Sequence, residues 1–224
     1  MLVMKKQVVG SNMKQKKEIK LIIFDLWQTL VYRETSLSYH KRIIKLFNLK
    51  INEKKFIKIF ENSVQKRKWK SKYMAYENLC KNLKLPITKK NVNILMDLRD
   101  KTEERTKEYV HTIPMLKKLK KQKYKIALLS NSSVFAIKQV KEKTKILKYI
   151  DFPMFSFQYG NIKPSLRGFK LLFKKTKFKP NETIMIGDKM GDDVLPERKI
   201  RIRAIHFKNY SQLKKDLKKL GISI

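Results

Sequence analysis

The 224-residue chain has one cysteine, Cys80, and only 19 acidic residues against 55 lysines and arginines. A single cysteine excludes an intramolecular disulfide and fits a reducing compartment. Cys80 itself reads as a small buried apolar residue. No apolar run approaches the roughly 20 residues that a membrane-spanning helix needs. The first 20 residues are dense in lysine and hold no long apolar stretch, so they do not read as a secretory signal. A cytoplasmic location with no membrane span is the expectation. No internal repeat is visible.

Apolar residues make up 42% of the chain, enough to build a core and to exclude global disorder. The length suits one good-sized domain or a domain with a substantial insertion. The net charge of +36 is the unusual feature. Such a surface attracts polyanions and anionic small molecules. An A/T-rich codon bias would raise lysine and isoleucine, but it would also favour glutamate, which is scarce here. The basic residues are scattered, with dense stretches at Lys66-Arg67-Lys68-Trp69-Lys70 and in the first 20 residues. Nucleic acid is therefore one expected partner; a lysine-coated surface without such a role is the alternative.

Residues 1–18 lack periodicity and read as a basic flexible arm. Lys20 to Phe24 reads as a short buried strand. From about residue 38 to 110 the spacing turns helical. Ile43, Ile44, Leu46 and Phe47 suit one helix face, and Phe56, Ile57, Ile59 and Phe60 a second. Tyr73, Met74, Tyr76, Leu79, Cys80 and Leu83 suit a third, ended before Pro86; Val92, Leu95, Leu98 and Thr102 suit a fourth. No strand is predicted in this block.

Beyond it, strands and helices alternate. A helix is predicted from Pro114, a strand over Tyr124 to Leu129 and a helix over Val134 to Lys143. A strand follows over Met154 to Phe157, then a helix capped by Ser165. Strands over Thr183 to Ile186 and Ile202 to Phe207 precede a last helix, Ser211 to Leu220, closed by Gly221. This order predicts an α/β fold: a Rossmann-like parallel sheet with helices on both faces, plus an all-helical insertion. The predicted division is a basic arm at 1–18, a core at 19–35 and 111–224, and a helical cap at 36–110.

In such sheets ligands bind beyond the carboxyl ends of the strands. The first strand ends on Asp25. The second ends on Ser130-Asn131, and the third is followed by Lys163-Pro164. The fourth leads into Gly187-Asp188-Lys189-Met190-Gly191-Asp192-Asp193. A carboxylate, a hydroxyl, an ammonium and an acidic cluster on one edge suit a phosphoryl group with magnesium. Mg²⁺ is held by one or two carboxylates and keeps water and phosphate oxygens as its other ligands. A hydroxyl and an ammonium hold phosphoryl oxygens. A carboxylate aimed at phosphorus acts as a nucleophile.

These four segments resemble the four motifs of the haloacid dehalogenase-like (HAD) hydrolase superfamily, in order. The likeness spans about residues 19 to 210, with the helical block where that family inserts a cap. It implies that Asp25 is the nucleophile and a metal ligand, and that Lys163 neutralises it. Ser130 and Asn131 would bind the phosphoryl group. Asp188, Asp192 and Asp193 would serve the metal, with the Trp27 backbone carbonyl. Thr29 would tie the turn through its hydroxyl.

One position departs from the family pattern. Most of its phosphatases carry a second aspartate two residues after the nucleophile; here it is Trp27, expected to face the cap. An indole N–H is a donor only and cannot exchange a proton near neutral pH. General acid–base help contributes roughly 10²–10⁴-fold, so turnover should be slow or selective for good leaving groups. A 2-haloacid dehalogenase, which needs neither that acid nor a metal, is one alternative. A basic phosphate- or nucleic-acid-binding protein with little turnover is another. Trp69, Tyr73 and Tyr76 would form the core of the cap or line a pocket. Arg67, Lys68, Lys70 and Lys72 would recruit an anion or form a solvated face. His40, His111 and His206 fall at no motif position.

Overall fold

A computed structural model describes residues 18–36, 38–195 and 200–224. Apart from Glu18, the expected basic arm lies outside the described residues. In chain order the strand β1 (Leu21–Phe24) leads to β2 (Val31–Arg33). Four helices follow: α1 (Tyr39–Leu46), α2 (Glu53–Phe60), α3 (Lys72–Leu83) and α4 (Lys89–Glu103). Then come β3 (Thr106–Glu108), α5 (Thr112–Lys121), β4 (Lys125–Ser130), α6 (Val134–Lys143) and β5 (Phe152–Phe155). The chain closes with α7 (Ser156–Tyr159), α8 (Arg167–Thr176), β6 (Thr183–Gly187), β7 (Arg203–His206) and α9 (Tyr210–Lys218).

Five strands form one parallel sheet in the order β5-β4-β1-β6-β7. The chain builds outward from β1 through β4 and β5, then crosses back to lay β6 and β7 on the other side. The order therefore reverses at β1, the place where such sheets open a crevice for ligand. All four residues of β1 are buried, as a central parallel strand requires. Their alternation serves two layers. Ile22 and Phe24 pack with Leu116 and Leu119 of α5, Val140 of α6, and Leu213 and Leu217 of α9. Leu21 and Ile23 pack on the opposite face with Tyr159 of α7 and with Phe169 and Leu172 of α8.

Helices α1 to α4 carry a separate core, centred on Tyr39, Phe56, Phe60, Tyr76, Leu79 and Leu95. Each begins at a side-chain cap that the sequence supplies: Ser38, Asn52, Ser71 and Thr88 accept the amides of Lys41, Lys55, Met74 and Asn91. Leu46, assigned to the buried face of its helix by spacing, is instead 57% exposed at the end of α1. One turn of π-helix, Glu61–Gln65, extends α2.

The strands β2 and β3 were not expected. They pair antiparallel, with Val31 opposite Glu108 and Arg33 opposite Thr106, and form the two-stranded entrance and exit of the helical block. Thr-Lys-Glu has no apolar alternation, so only the partner strand makes it a strand. Two boundaries also shift. The strand expected over Met154 to Phe157 is β5, two residues earlier, because Ser156 starts α7. Ser165 does not cap α8, whose N-cap is Leu166 without a side-chain bond; its hydroxyl accepts the Arg167 amide at 3.3 Å. No helix among the described residues is long and apolar enough to cross a membrane.

Candidate active site

Asp25 directly follows β1. Its amide still donates to the Ile186 carbonyl at 2.8 Å, so the sheet's hydrogen bonding fixes the backbone up to the carboxylate. The chain then turns sharply. Gln28 takes a left-handed φ of 59°, and the Leu30 and Val31 amides both donate to the Leu26 carbonyl at 2.9 and 3.0 Å. Among the described residues the buried Thr29 hydroxyl has no hydrogen-bond partner, so it does not tie this turn as expected. Backbone bonds do that instead.

Lys163 reaches Asp25 from the segment after α7. Its Nζ donates to Asp25 Oδ1 at 2.6 Å and to Asp193 Oδ1 at 2.5 Å, and all three side chains are buried. The Lys163 amide donates to Asn131 Oδ1 at 2.9 Å, so the residue that ends the β4 segment also holds the lysine's backbone. The second oxygen of Asp193 accepts the Lys189 amide at 3.0 Å. Burial opposes a charge on Lys163, but Asp193 and Asp25 outweigh it, and the ammonium is held above the ordinary lysine range.

Asp25, Asp188 and Asp193 each offer an oxygen within 4.8 Å of the others. Burial pushes the Asp25 carboxyl up to about 7, with Asp193 and Asp188 adding to the shift and Lys163 opposing it. Burial and then Asp193 also raise Asp188. Three carboxylates around one ammonium leave excess negative charge, which a divalent cation with oxygen preference would relieve. The donor set therefore fits magnesium. Asp192 lies outside this group and pairs with Lys189 at 3.6 Å.

Gly187 makes room for the cluster. A Cβ there would lie 2.5 Å from Asp193 Cγ and 2.6 Å from its Cβ, inside any real contact. Gly187→Ala is expected to push Asp193 off Lys163 and lower turnover by at least about 10-fold, the scale of a lost charge-assisted hydrogen bond. Steady-state kinetics beside a thermal melt would check this; full activity would show that Asp193 need not sit where it does.

Ser130 is fully buried, with its hydroxyl 3.1 Å from that of Ser132, and it does not line the crevice. The Trp27 indole N–H donates to Ser132 Oγ at 2.9 Å. On its other side the Arg33 guanidinium stacks 3.5 Å from the Trp27 ring centre.

A cavity of about 250 Å³ lies over Asp25. Asp25, Asn131, Lys163 and Asp188 contribute from the sheet edge; Arg33 contributes from β2, and His40, Glu61, Gln65 and Arg99 from the helical block. Those last five were not read from the sequence. They belong to no motif, and elements far apart in the chain bring them together. A partial signal existed: Arg99 continues the spacing of the buried Val92 and Leu95 and has Glu103 at i+4, and the two form a buried ion pair at 2.6 Å. None of Trp69, Tyr73 and Tyr76 lines the cavity. Tyr76 is in the helical core, Arg67 stacks on Trp69 at 4.0 Å, and Lys72 pairs with Asp100.

Solved structures share this fold. A HAD phosphatase from Thermococcus onnurineus is 19% identical, with a TM-score of 0.56 over 89% of this chain and 98% of its own. A predicted HAD-like family hydrolase from Porphyromonas gingivalis is 16% identical, with a TM-score of 0.67 over 93% and 100%. A HAD family enzyme from Bacteroides thetaiotaomicron, solved in complex with magnesium and inorganic phosphate, is 19% identical, with a TM-score of 0.64 over 87% and 98%. No curated protein matches the chain. The model of the haloacid dehalogenase-like hydrolase family matches residues 22–207, which takes in all four strand ends and the helical block between the first two. The chain belongs to the haloacid dehalogenase-like hydrolase family.

Proposed function

We propose that the protein is a magnesium-dependent phosphohydrolase acting on a small phosphorylated molecule through an aspartyl phosphate at Asp25. The observation that carries this reading is the Asp25–Lys163–Asp193 arrangement at the carboxyl edge of β1, with Asp188 beside it. An Asp25 oxygen attacks phosphorus, and the bond to the leaving oxygen breaks with its electron pair. Water then attacks the aspartyl phosphate, releases phosphate and restores Asp25. Lys163 offsets charge on Asp25 and on the phosphoryl oxygens. Asn131 borders the same space, whereas the Ser130 hydroxyl is buried against Ser132 outside it, so a phosphoryl role for Ser130 would require its side chain to rearrange.

Magnesium would be held by Asp25 and Asp188 with the Trp27 carbonyl, while Asp193 orients Lys163 and Asp192 stays at the margin. When bound, it supplies positive charge to the phosphoryl oxygens. That a Bacteroides enzyme of this fold was solved with magnesium and inorganic phosphate supports magnesium as the metal. The acidic cluster favours phosphoryl transfer over halide displacement, since halide displacement needs no metal. The basic surface remains the one feature that points to a nucleic-acid partner. The helical block, with its own core over the cavity, acts in this reading as the cap, and the β2–β3 ribbon joins it to the sheet.

The test is phosphate release from p-nitrophenyl phosphate and acetyl phosphate, with Mg²⁺ and with chelator. Metal-dependent release is expected; none on either compound overturns the reading. Trp27 adds a selectivity. Without an acid at that position, alkyl phosphates should be poor substrates and aryl or acyl phosphates better ones. Trp27→Asp is expected to raise alkyl-phosphate turnover by about 10²-fold, the scale of general acid help, and aryl turnover by less. Equal change in both classes would mean that position 27 does not govern protonation of the leaving group.

A further inference from the structure

The Arg33 guanidinium lies in the cavity wall with part of its donor capacity unused. Among the described residues its Nε and Nη2 are buried with no hydrogen-bond partner, although arginine has five donors to place. Burying such donors unpaired is costly. The carboxylate that would otherwise serve it, Glu103, is taken by Arg99 at 2.6 Å. Two guanidiniums thus share one carboxylate, and one positive charge stays unbalanced. Other groups feel it. Burial and the charges of Arg99, Arg33 and Lys189 hold His40 down at about 3, so it stays neutral.

The position of Arg33 is also fixed. Its Cζ lies over the Trp27 ring, 3.5 Å from the ring centre, and the indole is itself tethered to Ser132. Stacking leaves the edge of a guanidinium free for a planar, bidentate partner. The stack stands in the same cavity as Asp25, and at 250 Å³ that cavity is smaller than the roughly 300–1,000 Å³ of drug-sized ligand pockets.

We propose that Arg33, held over the Trp27 ring, binds a second anionic group of the substrate, so that the preferred substrate is a small phosphorylated carboxylic acid. This rests on the phosphohydrolase reading for the phosphoryl end. Trp27 then has a positive role: it is the platform that orients the specificity residue. A second phosphate has the same recognition chemistry as a carboxylate, and the experiment separates them.

Two arms test this. In the first, kcat/KM is compared for 3-carboxyphenyl phosphate and phenyl phosphate, whose leaving groups are similar. A preference of about 10–100-fold for the acid is expected from a charge-assisted bidentate contact. That ratio should collapse toward 1 in Arg33→Met and be partly restored in Arg33→Lys. In the second, wild-type binding of 3-phosphonopropionate, propylphosphonate and 1,3-propylenediphosphonate is measured by calorimetry with Mg²⁺. The carboxylate compound is expected to bind at least about 10-fold more tightly than propylphosphonate, which lacks a second anionic group. Tightest binding of the diphosphonate would reassign the group to phosphate and overturn the carboxylate assignment. Equal binding of all three, or a wild-type ratio near 1, overturns the subsite whether or not Arg33→Met folds. Selective binding without turnover on any phosphate ester would sink the hydrolase reading while supporting the subsite.

Discussion

Asp25→Asn is expected to abolish phosphate release, with a loss of about 10⁴-fold or more, as for removal of a nucleophile in other enzymes. The substitution isolates chemistry from structure. Asparagine has nearly the same volume, and its amide oxygen can still accept from Lys163, which donates to Asp25 Oδ1 at 2.6 Å. The sheet bond from the residue 25 amide to Ile186 is unaffected. One negative charge leaves a cluster of three carboxylates, so the variant should fold at least as well as the parent. The measurement is phosphate release with p-nitrophenyl phosphate and acetyl phosphate beside a thermal melt. A folded variant that retains turnover would remove Asp25 as the nucleophile.

Lys163→Met is expected to cost both activity and stability. The ammonium is buried and is the ion-pair partner of both Asp25 and Asp193. Methionine fills similar space without the charge. Breaking a buried ion pair by removing one partner costs about 3–5 kcal/mol, because the other charge is left uncompensated. Here two carboxylates lose their partner. Turnover should fall by at least about 10²-fold, the scale of losing a positioned charge at a phosphoryl group. A specific signature separates this from simple unfolding. With its cation gone, the cluster should gain more from Mg²⁺, so the melting temperature of the variant should rise further on adding Mg²⁺ than that of the parent. Equal shifts in parent and variant would mean that metal and lysine do not answer the same negative charge.

The site divides cleanly into what pattern carries and what contact creates. Asp25, Asn131, Lys163, Asp188 and Asp193 were legible because each follows a buried strand or the crossover after one. The parallel order puts all such ends on one edge. Periodicity gave the four helices of the insertion for the same reason, since each carries an apolar stripe and its own cap. Leu46 shows the limit of spacing, because the last turn of a short helix can run past its partner. The β2–β3 ribbon shows another: Thr106-Lys107-Glu108 has no strand pattern and is held only by its partner's backbone.

The side chains above Asp25 were not legible. Arg33 looks like an ordinary surface arginine until Trp27 lies beneath it and Glu103 is taken by Arg99. Asp192 and Asp193 are chemically identical neighbours, and only the turn after β6 sends one toward Lys163 and the other toward Lys189. The sequence by itself determined the parallel sheet, the helical insertion and the set of reactive groups at the strand ends, because burial periodicity and chain order are local properties. Tertiary structure alone decided which carboxylates share the lysine, which charge stays unpaired and how small the cavity is, because those follow from distances between segments that the chain brings together only on folding.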